Sequence, residues 1–189
     1  MAKLVCLDPG HSWAEDTGGD PGAENGDYKE SVAALSIALQ AGKILNSSGF
    51  DTIFTRRGGS PNLSLKQRCS ISNVNGANAF VSIHLNAAEN KSANGIEVLR
   101  YSKVGRITRD LAEVVLNKLL AVTQFRNRGV KERDNLYVLK HTNAPAILCE
   151  VGFISNDVEC KHLFNSDVQH YIASAIAEGV TEVLTGEKR

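Results

Sequence analysis

The stretch AFVSIHLNAA, residues 79–88, decides how the rest of the chain is read. Its apolar run shows no alternation before it reaches His84. That pattern predicts a strand over 79–84 buried on both faces, as in a parallel sheet covered by helices. His84 closes the strand, and open α/β sheets gather their chemistry at the carboxyl ends of strands.

Outward from it, KLVCLD (3–8) predicts a strand stopped by Pro9-Gly10, and residues 12–29 predict a long exposed loop rich in Gly, Asp, Glu and Asn. A helix is expected from Glu30, with Val32, Leu35, Leu39, Gly42 and Leu45 at helical spacing and SSGF (47–50) as its stop. DTIFTR (51–56) reads as a strand, RGGSPN (57–62) as a loop and LSLKQRCSISNVNGA (63–77) as a short helix capped near Ser64. GIEVLRYS (95–102) is a further strand, and Ile107, Leu111, Val114, Val115 and Leu119 mark a second amphipathic helix. Residues 126–135 read as charged and irregular, LYVLK (136–140) as a strand candidate and AILCEVGF (146–153) as another apolar strand. Asn156 with Glu159 has the form of a helix cap and its partner, and Val168 to Val183 mark a long final helix. Strands and helices alternate, so the expected class is α/β: one domain over 1–185 with a mainly parallel sheet between helices. Residues 186–189 are expected to be a frayed end or the beginning of a linker.

The 189 residues suffice for one core, and Lys+Arg equals Asp+Glu at 21 each. That balance argues against electrostatic capture by nucleic acid or an anionic membrane. No apolar run approaches the ~20 residues that span a bilayer, and the opening MAKLVCLDPGH lacks the form of a signal peptide, so cytoplasmic synthesis is expected. The four cysteines stand far apart without C-x-x-C spacing, which argues against a thiolate zinc site or a disulfide framework.

Three strand ends carry polar groups: DPGH delivers His11, SIH delivers His84 and AILCE delivers Glu150, while Glu30 stands in the first turn of the first long helix. Two imidazoles and a carboxylate suit Zn²⁺, which leaves a fourth position for water. A second, free carboxylate would then move protons. Each residue also has an ordinary reading. A strand-end histidine is often a hydrogen-bonded rim residue, Glu30 suits a helix start, and Glu150 could pair with Arg68 in the interior. Asp8 is a candidate partner for the second nitrogen of His11 or a turn residue before Pro9. Arg68 reads as structural or as a grip for a substrate carboxylate, Asn86 as a substrate donor or a turn cap, and Trp13 as a stacking platform or a loop cover.

LDPGH (7–11), GA (22–23), TR (55–56), LSLKQR (63–68), ANAFVSIHLNA (77–87) and PAILCEVGFISN (145–156) follow one another in an order that resembles the zinc-dependent N-acetylmuramoyl-L-alanine amidases of the amidase-3 family, bacterial autolysins and phage endolysins. The resemblance spans essentially the whole chain. It implies a six-stranded sheet with flanking helices, one Zn²⁺ ligated by His11, Glu30 and His84, and Glu150 as acid and base. It also implies peptidoglycan as substrate and, as the bond cut, the amide joining the lactyl group of N-acetylmuramic acid to L-alanine. One departure is the run after DPGH, where Ser12 and Trp13 replace the usual glycines and the loop is longer, leaving Glu24 as a rival ligand. Glu30 is preferred for its spacing from GA and its rigid helix start. The other readings are a zinc peptidase on a similar scaffold and an inactive wall-binding module. The expected state is a monomer, with a wall-binding domain separate or missing. It would be released onto the wall as a phage endolysin, the favoured case, or as a mother-cell autolysin.

Overall fold

The computed structural model describes residues 2–14, 18–58 and 62–186. Ten strands lie along the described chain: β1 (Leu4–Pro9), β2 (Ser12–Ala14), β3 (Gly18–Asp20), β4 (Glu24–Asn25), β5 (Tyr28–Lys29), β6 (Asp51–Phe54), β7 (Ala79–Asn86), β8 (Ile96–Arg100), β9 (Asn127–Glu132) and β10 (Ala146–Phe153). The helices are α1 (Glu30–Ser47), α2 (Leu65–Val74), α3 (Arg106–Thr123), α4 (Tyr137–His141), α5 (Asp157–Leu163) and α6 (Ser166–Thr185). Six strands form the main sheet in the order β6-β1-β7-β10-β8-β9, and every pairing is parallel except β10 with β8. The expected α/β class and mainly parallel six-stranded sheet are what the chain adopts.

Alternation along the strands sends side chains to two unequal cores. Val5, Leu7, Val81, Ile83, Ile147 and Cys149 join the larger core, with α1, α3 and α6. Cys6, Phe80, Leu148 and Leu99 turn the other way and meet Cys69 of α2 and Val138 and Leu139 of α4. Pairing register then defines rows across this second face, since partnered residues share a side. One row runs Asp8, Ser82, Leu148, Leu99; the next, one pleat nearer the carboxyl ends of β7 and β10, runs His84, Glu150, Glu97. The covering helices, α2 and α4, are 10 and 5 residues long. A cavity of about 310 Å³ opens between their first turns and the sheet, lined by Leu63, Leu65, Leu136, Tyr137, Leu148 and His84.

Several local expectations change. The loop 12–29 contains two small antiparallel ribbons, β2–β3 and β4–β5. The charged stretch 126–135 contains β9, parallel to β8 at the sheet edge. Edge strands carry charge to resist further pairing, which hides the apolar signal of a strand. LYVLK, expected as a strand, contains the start of α4: its β-formers Tyr137 and Val138 are overridden by burial of Val138 and Leu139 against the smaller core. Asn156 caps α5 through the Val158 and Glu159 amides, but Glu159 reaches beyond it to accept from Phe153 N and Gly95 N, both at 2.7 Å. Ser64 and Gln67 form a reciprocal capping box at the start of α2. Of the expected loop 57–62, residues 59–61 lie outside the described residues, as do 15–17 in the earlier loop and 187–189 in the tail.

A buried ion pair ties these layers together. Asp8 is 1% exposed. Its Oδ1 accepts from Arg68 Nη1 at 2.8 Å and from Thr55 Oγ1 at 2.6 Å, and its Oδ2 accepts from Ser82 Oγ at 2.7 Å. Arg68 also donates to the Pro9 and His11 carbonyls at 2.8 and 2.7 Å. Arg56 donates to Pro9, Gly10 and Ser31 carbonyls. The turn after β1 is thus held by two buried guanidinium groups. Asp8→Ala leaves Arg68 buried without its counter-charge and is expected to cost about 3–5 kcal/mol of unfolding free energy. Urea denaturation checks this, and a loss below about 1 kcal/mol would show the pair to be incidental.

Candidate metal and catalytic site

The site stands where the carboxyl ends of β1 and β7 meet the first turn of α1. His11 follows β1 with φ +56°, in the left-handed region that a residue with a Cβ seldom adopts. Bonds from Arg68 to the His11 carbonyl and from Arg56 to the Gly10 carbonyl hold it there. Gly10 itself has no freedom to carry a side chain, because a Cβ would lie 2.6 Å from His84 Nδ1 and closer still to its Cε1. Gly22, at φ +73°, answers a similar constraint: a Cβ would lie 2.6 Å from Glu30 Oε2 and 2.7 Å from His11 Cδ2. The glycines of DPGH and of the GA pair therefore make room for the site.

Glu30 is 3% exposed and lies between the two imidazoles. Its Oε1 is 2.8 Å from His84 Nδ1 and its Oε2 is 3.2 Å from His11 Nε2. Backbone amides of Leu85 and Ala23 also donate to it, at 3.0 and 2.9 Å. Burial alone would raise the Glu30 carboxyl, but the hydrogen bonds and charges of His11 and His84 outweigh it and hold the group well below the usual carboxylate range. The His11 and His84 rings meet edge to face, with centroids 5.0 Å apart. One ligand atom from each of His11, Glu30 and His84 lies within 4.8 Å of the others. Two imidazole nitrogens and one ionised carboxylate, converging from three rigid elements, form a donor set that fits Zn²⁺.

Glu150 neighbours this cluster, paired with His84 across β10 and β7. Its Oε2 is buried and meets no hydrogen-bond partner among the described residues. Burial pushes its carboxyl up to about 7, helped by the charges of Glu30 and Glu97 and opposed by that of His84. A carboxyl so placed holds or releases a proton near neutrality, as a general acid and base requires.

Among the other candidates, one expectation is overturned and the rest find definite partners. Asp8 does not partner His11; it faces the interior toward Thr55, Ser82 and Arg68. The His11 Nδ1 partner is Asp20 of β3, at 2.8 Å, a residue the sequence reading passed over inside an exposed loop. Arg68 does not pair with Glu150, since Asp8 and the loop carbonyls occupy it. Glu24 turns away from the histidines toward Lys29, 3.7 Å off. Trp13 lies under the Lys29 ammonium, 4.8 Å from the ring centroid. Asn86 accepts from Ala87 N and donates to Glu97 Oε1 at 3.2 Å. Glu97 and Arg56 also escaped the sequence reading. The TR pair signalled Arg56, but only the fold gives it carbonyls to hold.

The sequence profile of a family described as N-acetylmuramoyl-L-alanine amidase matches residues 5–182. The amidase CwlM of Bacillus licheniformis is 32% identical over 189 residues, covering 100% of this chain and 71% of that protein. The endolysin of Bacillus phage SPP1 is 31% identical, covering 100% of this chain and 69% of that protein. Among solved structures, the N-acetylmuramoyl-L-alanine amidase of Clostridium difficile 630 superposes with TM-score 0.91 at 32% identity, over 99% of each chain. The catalytic domain of CwlV from Paenibacillus polymyxa gives 0.88 at 32% identity, over 98% of this chain and 99% of that one. With a strand-end histidine pair, a buried helix-start glutamate and this match along nearly its whole length, the chain belongs to the N-acetylmuramoyl-L-alanine amidase family.

Proposed function

We propose that the chain is a zinc-dependent peptidoglycan hydrolase. It would cut the amide between the lactyl group of N-acetylmuramic acid and the L-alanine of the stem peptide. His11, Glu30 and His84 would hold one Zn²⁺, and Glu150 would serve as general acid and base. The observation that carries this reading is the unpartnered, buried Glu150 Oε2 beside three clustered ligand atoms. A bound Zn²⁺ supplies a Lewis acid and lowers the pKa of an attacking water from 15.7 towards about 7.

The rest of the chemistry belongs to the protein. Asp20 accepts from His11 Nδ1, which leaves Nε2 with its lone pair toward the site and fixes the ring. Leu85 N and Ala23 N donate to Glu30 and orient it. Glu150 takes the proton from water as its oxygen attacks the lactyl carbonyl carbon. It then delivers that proton to the L-alanine nitrogen as the C–N bond breaks, so the products are a lactyl carboxyl group and a free amine. An amide nitrogen leaves poorly as an anion, so proton delivery weighs as much as attack. The relatives include a germination-specific and a sporulation-specific amidase of Bacillus subtilis and a phage endolysin. They support a wall substrate reached either by phage release or during spore development.

Purified sacculi test the reading: digestion is expected to release stem peptides with free L-alanine amines and to leave glycan strands whole. New reducing sugar ends without new amines would overturn it. Glu150→Gln is expected to keep the fold and one zinc per chain while losing at least about 10²-fold in rate. His84→Ala is expected to lose zinc and activity together, and an unchanged metal content would remove His84 from the ligand set.

A further inference from the structure

Beyond Glu150 in the same row of the sheet stands a cluster built around Glu97. Glu97 is buried on β8, in register with Glu150. Its Oε2 accepts from Arg128 Nε at 2.9 Å and from Lys131 Nζ at 2.7 Å, and its Oε1 from Asn86 Nδ2. One carboxylate therefore faces two cations.

The two cations differ in how they are used. The Arg128 guanidinium lies over the Phe153 ring, 4.8 Å from its centroid, and also donates to the Asn94 carbonyl. It is fitted into the fold and balances Glu97. Lys131 is paired with Leu99, which places it on the same face as Glu97 and Glu150. Its side chain is 31% exposed, and its ammonium offers three donors, of which Glu97 takes one.

We infer that Lys131, held over β8 by Glu97, is a specificity residue that binds a carboxylate of the stem peptide beyond the scissile amide. The inference rests on the amidase reading and names the charge of the substrate at that site. In a stem whose second residue is a glutamate linked through its side-chain carboxyl, the α-carboxyl stays free, as a carboxylate or as its amide. Two residues of extended chain put that group ~7 Å from the cut carbonyl. Neighbouring strands are ~4.8 Å apart, so a stem that runs from a carbonyl at Glu150 toward β8 places the group over β8 or just past it, where Glu97 holds the Lys131 ammonium.

The test uses two synthetic muropeptides that differ only in this group, free acid or primary amide, and reads free L-alanine amines. The parent protein is expected to favour the acid. Lys131→Met is expected to lower the ratio of kcat/KM, acid over amide, by about tenfold through KM on the acid, as befits loss of a charge-assisted contact. Lys131→Arg is expected to restore most of the preference. A ratio unchanged in Lys131→Met, or equal losses on both substrates, overturns the inference while leaving the amidase reading intact. A parent protein that cuts neither muropeptide nor sacculi overturns both. Thermal melting of Lys131→Met guards the result: a shared fall in rate with a lowered Tm counts as the structural outcome and against the inference.

Discussion

The Asp8–Arg68 pair is the interaction on which the rest of the site depends. Burying both charges is costly, and the cost is offset because every near oxygen and nitrogen finds a partner: Thr55 and Ser82 complete the carboxylate, and the Pro9 and His11 carbonyls complete the guanidinium. The bonds to those carbonyls matter most for function. They hold the turn after β1 with His11 at positive φ, a conformation its side chain would otherwise leave. Through them a core ion pair reaches the imidazole without touching it.

From that fixed turn the electrostatics of the two glutamates diverge. Glu30 is buried and Glu150 half-buried within one site, yet their environments push the two carboxyls in opposite directions. Glu30 receives two amides and two imidazoles and stays ionised. Glu150 receives no such donors at Oε2, and burial, helped by the charges of Glu30 and Glu97, pushes its carboxyl up to about 7. Two carboxyls driven apart in this way suit the separate roles of ligand and proton carrier proposed for them.

The frame of the fold was legible because its signals are local or periodic. Apolar runs at 79–84 and 146–153 specify strands buried on both faces, and β7 and β10 sit inside the sheet. Strand-end position likewise pointed to His11, His84 and Glu150, and the helix start to Glu30. What escaped depends on contacts distant in sequence or on edges. β9 carries the charge of an edge strand and so reads as loop. Asp20 belongs to a ribbon whose pairing with β2 no residue pattern announces, and Asp8 turned out to face the core because strand parity sets it beside Ser82. Glu97 looks in sequence like the polar position of an alternating strand; only register with Glu150 gives it a place in the site.

That register also explains why the site is open where it is. Three long helices cover one face of the sheet completely, while α2 and α4 cover the other only as far as the row of Leu148 and Leu99. One pleat further, the side chains change from apolar to His84, Glu150 and Glu97. Extending either short helix would bury those charges and force them to pair with one another or lose protons. Short helices leave a cleft whose floor is polar and whose wall, at Leu63, Leu65 and Leu136, is apolar. The same choice of helix length that exposes Glu150 to a substrate leaves Lys131 at the rim, half in solvent and tied down by Glu97. Access and charge selection thus follow from one feature of the chain, the early termination of the cover on the second face.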